Sequence, residues 1–125
     1  HAPGNDIVNY VESITEKDSL IVDYGDYVPY YEYLSSRKVL QCPLTDSFEV
    51  FSEGIQKINS YKGTVYISQT CFAFGTETQK KRLLNELTKN YTLKQVGNLT
   101  IDDFHKSEIS FDKVQYKIFK LEPKS

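Results

Sequence analysis

The chain has 125 residues, 39% hydrophobic and 26% charged, with a formal net charge of −2 and a sequence pI near 5.7. That size holds one core and excludes two, the composition excludes a disordered or fibrous chain, and the acidic balance excludes a nucleic-acid binder that relies on phosphate contacts. No apolar run reaches the roughly 20 residues of a membrane-spanning helix, so one soluble domain over residues 1–125 is expected.

Residues His1 to Gly4 receive no role in the fold, and no Met occurs at any position. The missing start residue suits a fragment of a larger protein. Ile7, Val8, Val11 and Ile14 share one face of a helix that Asn5 or Asp6 can cap. Lys17-Asp18 break the pattern, and Ser19 to Asp23 reads as a buried parallel strand ending in an acid, with Gly25 in the turn after it. Pro29 suits a first helical turn, so Tyr27 to Leu34 reads as a short helix ending at Ser35-Ser36. Arg37 to Gln41 is a second strand, stopped by Pro43.

Phe48, Phe51, Ile55 and Ile58 repeat at threes and fours behind an N-cap at Asp46 or Ser47, which predicts a helix buried along that line. Thr64 to Gln69 is the strongest strand signal, and Thr70 to Gly75 reads as a loop. Thr76 caps a helix whose buried face is Leu83, Leu84, Leu87 and Tyr91, with Lys80-Lys81-Arg82 in solvent. Tyr91 to Leu99, Ser107 to Phe111 and Val114 to Leu121 alternate as strands, the last two joined tightly at Asp112-Lys113. Alternating helices and strands predict an α/β fold: a three-layer Rossmann-like sandwich, its sheet mostly parallel with an antiparallel C-terminal edge pair.

Open α/β sheets bind ligands at the carboxyl ends of their strands. Two segments take that position, Asp23-Tyr24-Gly25-Asp26-Tyr27 and Thr70 to Gly75. Asp23 and Asp26 offer hard oxygen ligands, but two carboxylates without a third partner do not predict a metal. Neither dinucleotide nor phosphate-loop glycine patterns occur, nor does a nucleophile elbow. Cys71 has no base near it in sequence, His105 lying on a distant polar loop. No catalytic residue, cofactor or metal is therefore expected. Tyr24, Tyr27, Tyr30, Tyr31 and Tyr33 crowd into ten residues. They either pack on the sheet with hydroxyls at the rim or contact glycan or protein. The candidate contact set is Asp23, Tyr24, Asp26, Tyr27, Tyr30 and Tyr31. Cys42 and Cys71 are either two separate thiols or one disulfide formed in an oxidising compartment. With only His1 and His105, a Cys/His zinc site is not expected. Two N-glycosylation sequons occur, Asn90-Tyr91-Thr92 and Asn98-Leu99-Thr100.

Four phrases carry a family likeness: Asp18-Ser19-Leu20-Ile21-Val22, Tyr33-Leu34-Ser35-Ser36-Arg37, Gly63 to Ile67, and Val114 to Leu121 with its Val-x-Tyr-x-Ile spacing. In order and texture the chain resembles the extracytoplasmic domain that follows the membrane bundle in polyprenyl-phosphate-sugar-dependent glycosyltransferases. These are similar to the dolichyl-phosphate-mannose–protein mannosyltransferases and their bacterial and archaeal relatives. The resemblance implies a membrane-anchored parent with this domain on the extracytoplasmic side. Its partners would be the membrane-embedded remainder of the same polypeptide and a glycan or acceptor protein. The family's catalytic acid lies in a loop between early membrane helices, so no catalytic residue carries over. The implied role is assistance to acceptor or glycan access. The alternatives are a free-standing Rossmann-like enzyme with a site at Asp23 and Asp26, and a binding or interaction module without sugar chemistry.

Overall fold

The computed structural model describes residues 3–24, 37–102 and 113–125. In chain order they form α1 (Pro3–Ile14), β1 (Leu20–Asp23), β2 (Lys38–Gln41), α2 (Phe48–Asn59), β3 (Val65–Ser68), α3 (Thr70–Ala73), α4 (Glu77–Asn90), β4 (Tyr91–Asp102) and β5 (Lys113–Pro123). The fold is mixed α/β. One five-stranded sheet has the order β2-β1-β3-β5-β4, and four strands run the same way with β5 reversed.

Strand alternation divides the core in two. Leu20, Val22, Val65, Ile67 and Leu121 point to one face, where they meet Phe51, Ile55 and Ile58 of α2 and Leu83 and Leu87 of α4. Ile21, Tyr66, Tyr116 and Ile118 point to the other, against Val8 and Val11 of α1. β1 and β3 are buried along their whole length, which is why their sequences are apolar runs rather than alternations.

The helix caps follow their sequence signals. Ser47 accepts the Val50 N–H, and Thr76 and Gln79 form a reciprocal capping box at the start of α4. α1 has no basic residue in its last turn, and Arg37 supplies one from the chain before β2. Its guanidinium is nearly buried and donates to the Glu12 carbonyl at 3.0 Å, the Thr15 carbonyl at 2.6 Å and the Thr15 hydroxyl at 3.2 Å. A cation is thus held on the carbonyl end of the helix, where its dipole is negative.

Five expectations need correction. α1 starts at Pro3, four residues before the expected apolar face, because proline suits a first helical turn. Thr70–Ala73 is one helical turn, not a loop. Phe48 is 73% exposed: the buried stripe of α2 begins one turn later, at Phe51, whose ring is covered by the Arg82 guanidinium at 4.6 Å. That contact also takes Arg82 out of the solvated run. Leu84 is 42% exposed because it lies about 80° round the helix from the middle of the Leu83–Leu87 stripe. The helix over 27–36 and the strand over 107–111, with its turn, lie outside the described residues. Within them, the antiparallel partners of β5 are β3 and β4.

β4 changes sides halfway. Its ladder with β5 slips between Gln95 and Gly97, leaving Val96 as the extra residue. Before the bulge Leu93 opposes Leu121; after it Gly97 opposes Ile118 and Leu99 opposes Tyr116, on the α1 face. Gly97 is where helix and strand meet. A Cβ there would lie 2.4 Å from Ile14 Cδ1 and 2.8 Å from the Tyr10 hydroxyl, which accepts the Asn98 N–H at 2.7 Å.

Gly97→Val should lower stability by about 1–3 kcal/mol by prising α1 from β4, and Gly97→Ala by less, since two side-chain tips can yield. Arg37→Met, which leaves carbonyls of α1 unpaired, should cost about 2–3 kcal/mol. Urea unfolding midpoints check both.

Candidate functional site

The strand order places a topological switch point between β1 and β3, whose neighbouring carboxyl ends are where an open α/β sheet offers a ligand crevice. Asp23 ends β1, Ser68 ends β3, and α3 opens at Thr70. Both ligand segments read from the sequence are thus brought together.

What fills the crevice is the protein itself. The Asp23 side chain is fully buried. Its Oδ1 accepts the Tyr24 N–H at 2.7 Å and the Thr70 hydroxyl, and its Oδ2 accepts the Tyr116 hydroxyl. Because the Thr70 proton goes to Asp23, the Ser68 hydroxyl donates to Thr70 Oγ1, at 2.9 Å, and accepts the Thr70 N–H at 3.1 Å. Tyr24 N–H also reaches Thr70 Oγ1 at 3.2 Å. Ser68, Thr70 and Tyr116 are all buried. A buried carboxylate is costly unless such donors answer it, and here they come from α3, β5 and the chain after β1.

The opposite face of the same mouth is closed covalently. Cys42 follows β2 and Cys71 lies in α3, and a disulfide joins them with the Cα atoms 5.6 Å apart. β1 lies between β2 and β3 in the sheet, so the bridge spans its end. Both sulfurs belong to the α2/α4 core, and Cys71 Sγ lies 3.7 Å from the Val22 carbonyl. The Cys42 N–H donates to the Asp23 carbonyl at 2.8 Å. Of the two readings of the cysteines, the structure holds the bonded one, and neither thiol is left as a nucleophile.

Among the proposed contact residues, Asp23 faces inward and Tyr24 is half-buried. The Tyr24 ring stacks on Phe74, centroids 4.4 Å apart and planes 18° apart. Asp26, Tyr27, Tyr30 and Tyr31 lie outside the described residues. No group of three or more His, Cys, Asp or Glu that could hold a metal occurs among the described residues. An outer feature escaped the sequence reading. A groove of about 500 Å³ runs beside α2, lined by Phe48, Phe51, Ile55 and Asn59 with Glu86 of α4. Exposed apolar residues on a predicted core face were the signal for it, visible only once the burial of Phe48 is known.

Hydroxyls and a carboxylate in a line invite a catalytic reading, but a reacting group must meet a substrate. Ser68 and Asp23 have no exposed surface, and each hydroxyl is committed to a neighbour in the chain. The arrangement ties β1, β3 and β5 together at one end. Comparison with protein-family models, with curated proteins and with solved structures finds no match to this chain.

Asp23→Ala strands three buried donors and should cost about 2–4 kcal/mol in urea unfolding. Combined with Thr70→Val it should cost clearly less than the sum of the two single changes, because both remove the same bond.

Proposed function

We propose that this chain is a non-catalytic extracytoplasmic domain of a polyprenyl-phosphate-sugar-dependent membrane glycosyltransferase. It assists acceptor or glycan access, while the reacting centre belongs to the membrane-embedded remainder of the polypeptide. We read its architecture as a Rossmann-like three-layer sandwich. The β2-β1-β3 order and the two core clusters on opposite sheet faces support that reading.

The observation that carries the function is the mouth between β1 and β3, filled by the buried Asp23 network on one face and the Cys42–Cys71 disulfide on the other. A fold that binds small ligands at this point has given the space to its own side chains, which supports a role by surface contact. The disulfide supports the placement, since such bonds persist in oxidising compartments. The four family-like phrases support the parent. One of them ends in Arg37, the residue that secures α1, and another supplies Tyr116, which bonds Asp23. No helix among the described residues is long and apolar enough to cross a membrane, so anchoring falls to the remainder.

The groove beside Phe48 favours a second reading, an interaction module without sugar chemistry. An enzyme site at Asp23 and Asp26 is the weaker reading, because the Asp23 carboxylate is buried among its own donors.

Thiol titration of the native protein, without reductant, should find no reactive cysteine and find two after reduction and unfolding. Calorimetric titration with Mg²⁺ or nucleotide should show no saturable heat. The gene read upstream of His1 should encode apolar segments of roughly 20 residues. Two free thiols in the native chain, or Mg²⁺ binding abolished by Asp23→Asn, would contradict the proposal, as would a gene encoding this unit alone.

A further inference from the structure

The two sequons lie on one structural element. Of the six asparagines, only Asn90 and Asn98 are followed by x-Thr, and both acceptor triplets fall on β4 or its first junction. Asn90 ends α4, and its carbonyl accepts the Lys124 N–H at 2.9 Å. Asn98 follows the bulge, and its own N–H is held by the Tyr10 hydroxyl at 2.7 Å. The backbone is therefore fixed at both places, while the side chains of Asn90, Thr92, Asn98 and Thr100 are all exposed. In an extended strand residues two apart project to the same side, so the Asn98 amide stands beside the Thr100 hydroxyl that defines its sequon, while Asn90 closes α4 two residues before Thr92 enters the strand. The middle residues point elsewhere: the Tyr91 hydroxyl donates to Asn59, and Leu99 packs against the α1-face core.

We propose that Asn90 and Asn98 are N-glycosylation acceptors on this domain. The inference rests on the extracytoplasmic placement proposed above. The Cys42–Cys71 disulfide supports an oxidising compartment, the kind where lipid-linked oligosaccharides are transferred. In the step itself, Nδ2 of the asparagine forms a bond to the anomeric carbon of a polyprenyl-phosphate- or pyrophosphate-linked oligosaccharide. The bond from that carbon to the phosphate oxygen breaks, the lipid phosphate leaves with the electron pair, and the nitrogen gives up a proton to a base of the transferase. Nothing is oxidised or reduced.

The position gives the modification a physical role. Among the described residues β4 is the outermost strand, runs for 12 residues and pairs on one side, the kind of edge that recruits other chains. Among the described residues the bulge and the Tyr10 contact blunt it. The two asparagines stand about 25 Å apart along the strand, at 3.3 Å per residue. Two glycans at that spacing cover the edge, and they leave the β2 edge on the other side of the sheet free for contact.

Peptide mapping and intact-mass spectrometry of the full protein, purified from its source cells without reductant, test this. Glycan is expected on the peptides holding Asn90 and Asn98, and none on exposed Asn59 or Asn85, which lack sequons. Thr92→Ala and Thr100→Ala should each remove one glycan. Thr92→Ser and Thr100→Ser should keep it, and an unchanged circular dichroism spectrum verifies the fold in each variant. Bare asparagines in a chain whose cysteines are oxidised overturn the acceptor assignment and leave the compartment reading standing. Bare asparagines with two free thiols overturn both. A bare residue at one position overturns the assignment of that position.

Discussion

The carboxylate of Asp23 ends β1, an inner strand of the sheet, with no access to water, and the far end of the fold is arranged to answer it. A buried charge of this kind costs several kcal/mol unless donors surround it. The donors are the next backbone amide, a threonine 47 residues on and a tyrosine 93 residues on. Satisfying one group therefore fixes the relation of β1 to α3 and β5. With β1 placed, β2 and β3 pair on either side of it, and the disulfide ties their ends. The same constraint accounts for where β5 sits: Tyr116 must reach Asp23, so β5 pairs beside β3 and β4 is pushed to the outside.

A network of this kind is expensive to retain if only stability is at stake, because apolar residues of similar volume often serve as well. What it adds is a single arrangement of strands at the switch point. In a ligand-binding α/β protein that position must stay open and adaptable. Here it is held shut from both faces, which turns a pocket into a rigid base. On the reading proposed above, outer surfaces that keep their shape suit a role by contact. Those surfaces include the groove beside α2 and the edge of β4.

Much of this was legible in the chain. The Phe51-Ile55-Ile58 spacing and Ser47 located α2, Thr76 located the start of α4, and Ser19 to Asp23 and Thr64 to Gln69 read as strands, the first of them as a buried one. These are local signals, and local chemistry carries them. The choice of partners was not legible. Strand alternation says which face a residue takes, not which neighbour it pairs with, so the insertion of β5 between β3 and β4 could not be read from it. Nor could the bond from Tyr116 to Asp23, although an acid closing an otherwise apolar strand was its trace. Phe48 and Leu84 were misjudged for a related reason: helical spacing predicts a face, and only the packed neighbours decide where that face ends. Arg37 read as the first residue of a strand, and its partners on α1 were invisible in sequence.

Native-state hydrogen exchange at the Tyr24 and Cys42 amides tests most directly whether the β1/β3 mouth is a closed clasp. Both are bonded to Asp23, one to its carboxylate and one to its carbonyl. A clasp predicts that they exchange only through global unfolding, with the same free energy as Ile21 and Ile67 in the centre of the sheet. Exchange through a local opening, many-fold faster than those core amides in the oxidised protein, would show a mouth that opens and would contradict the account.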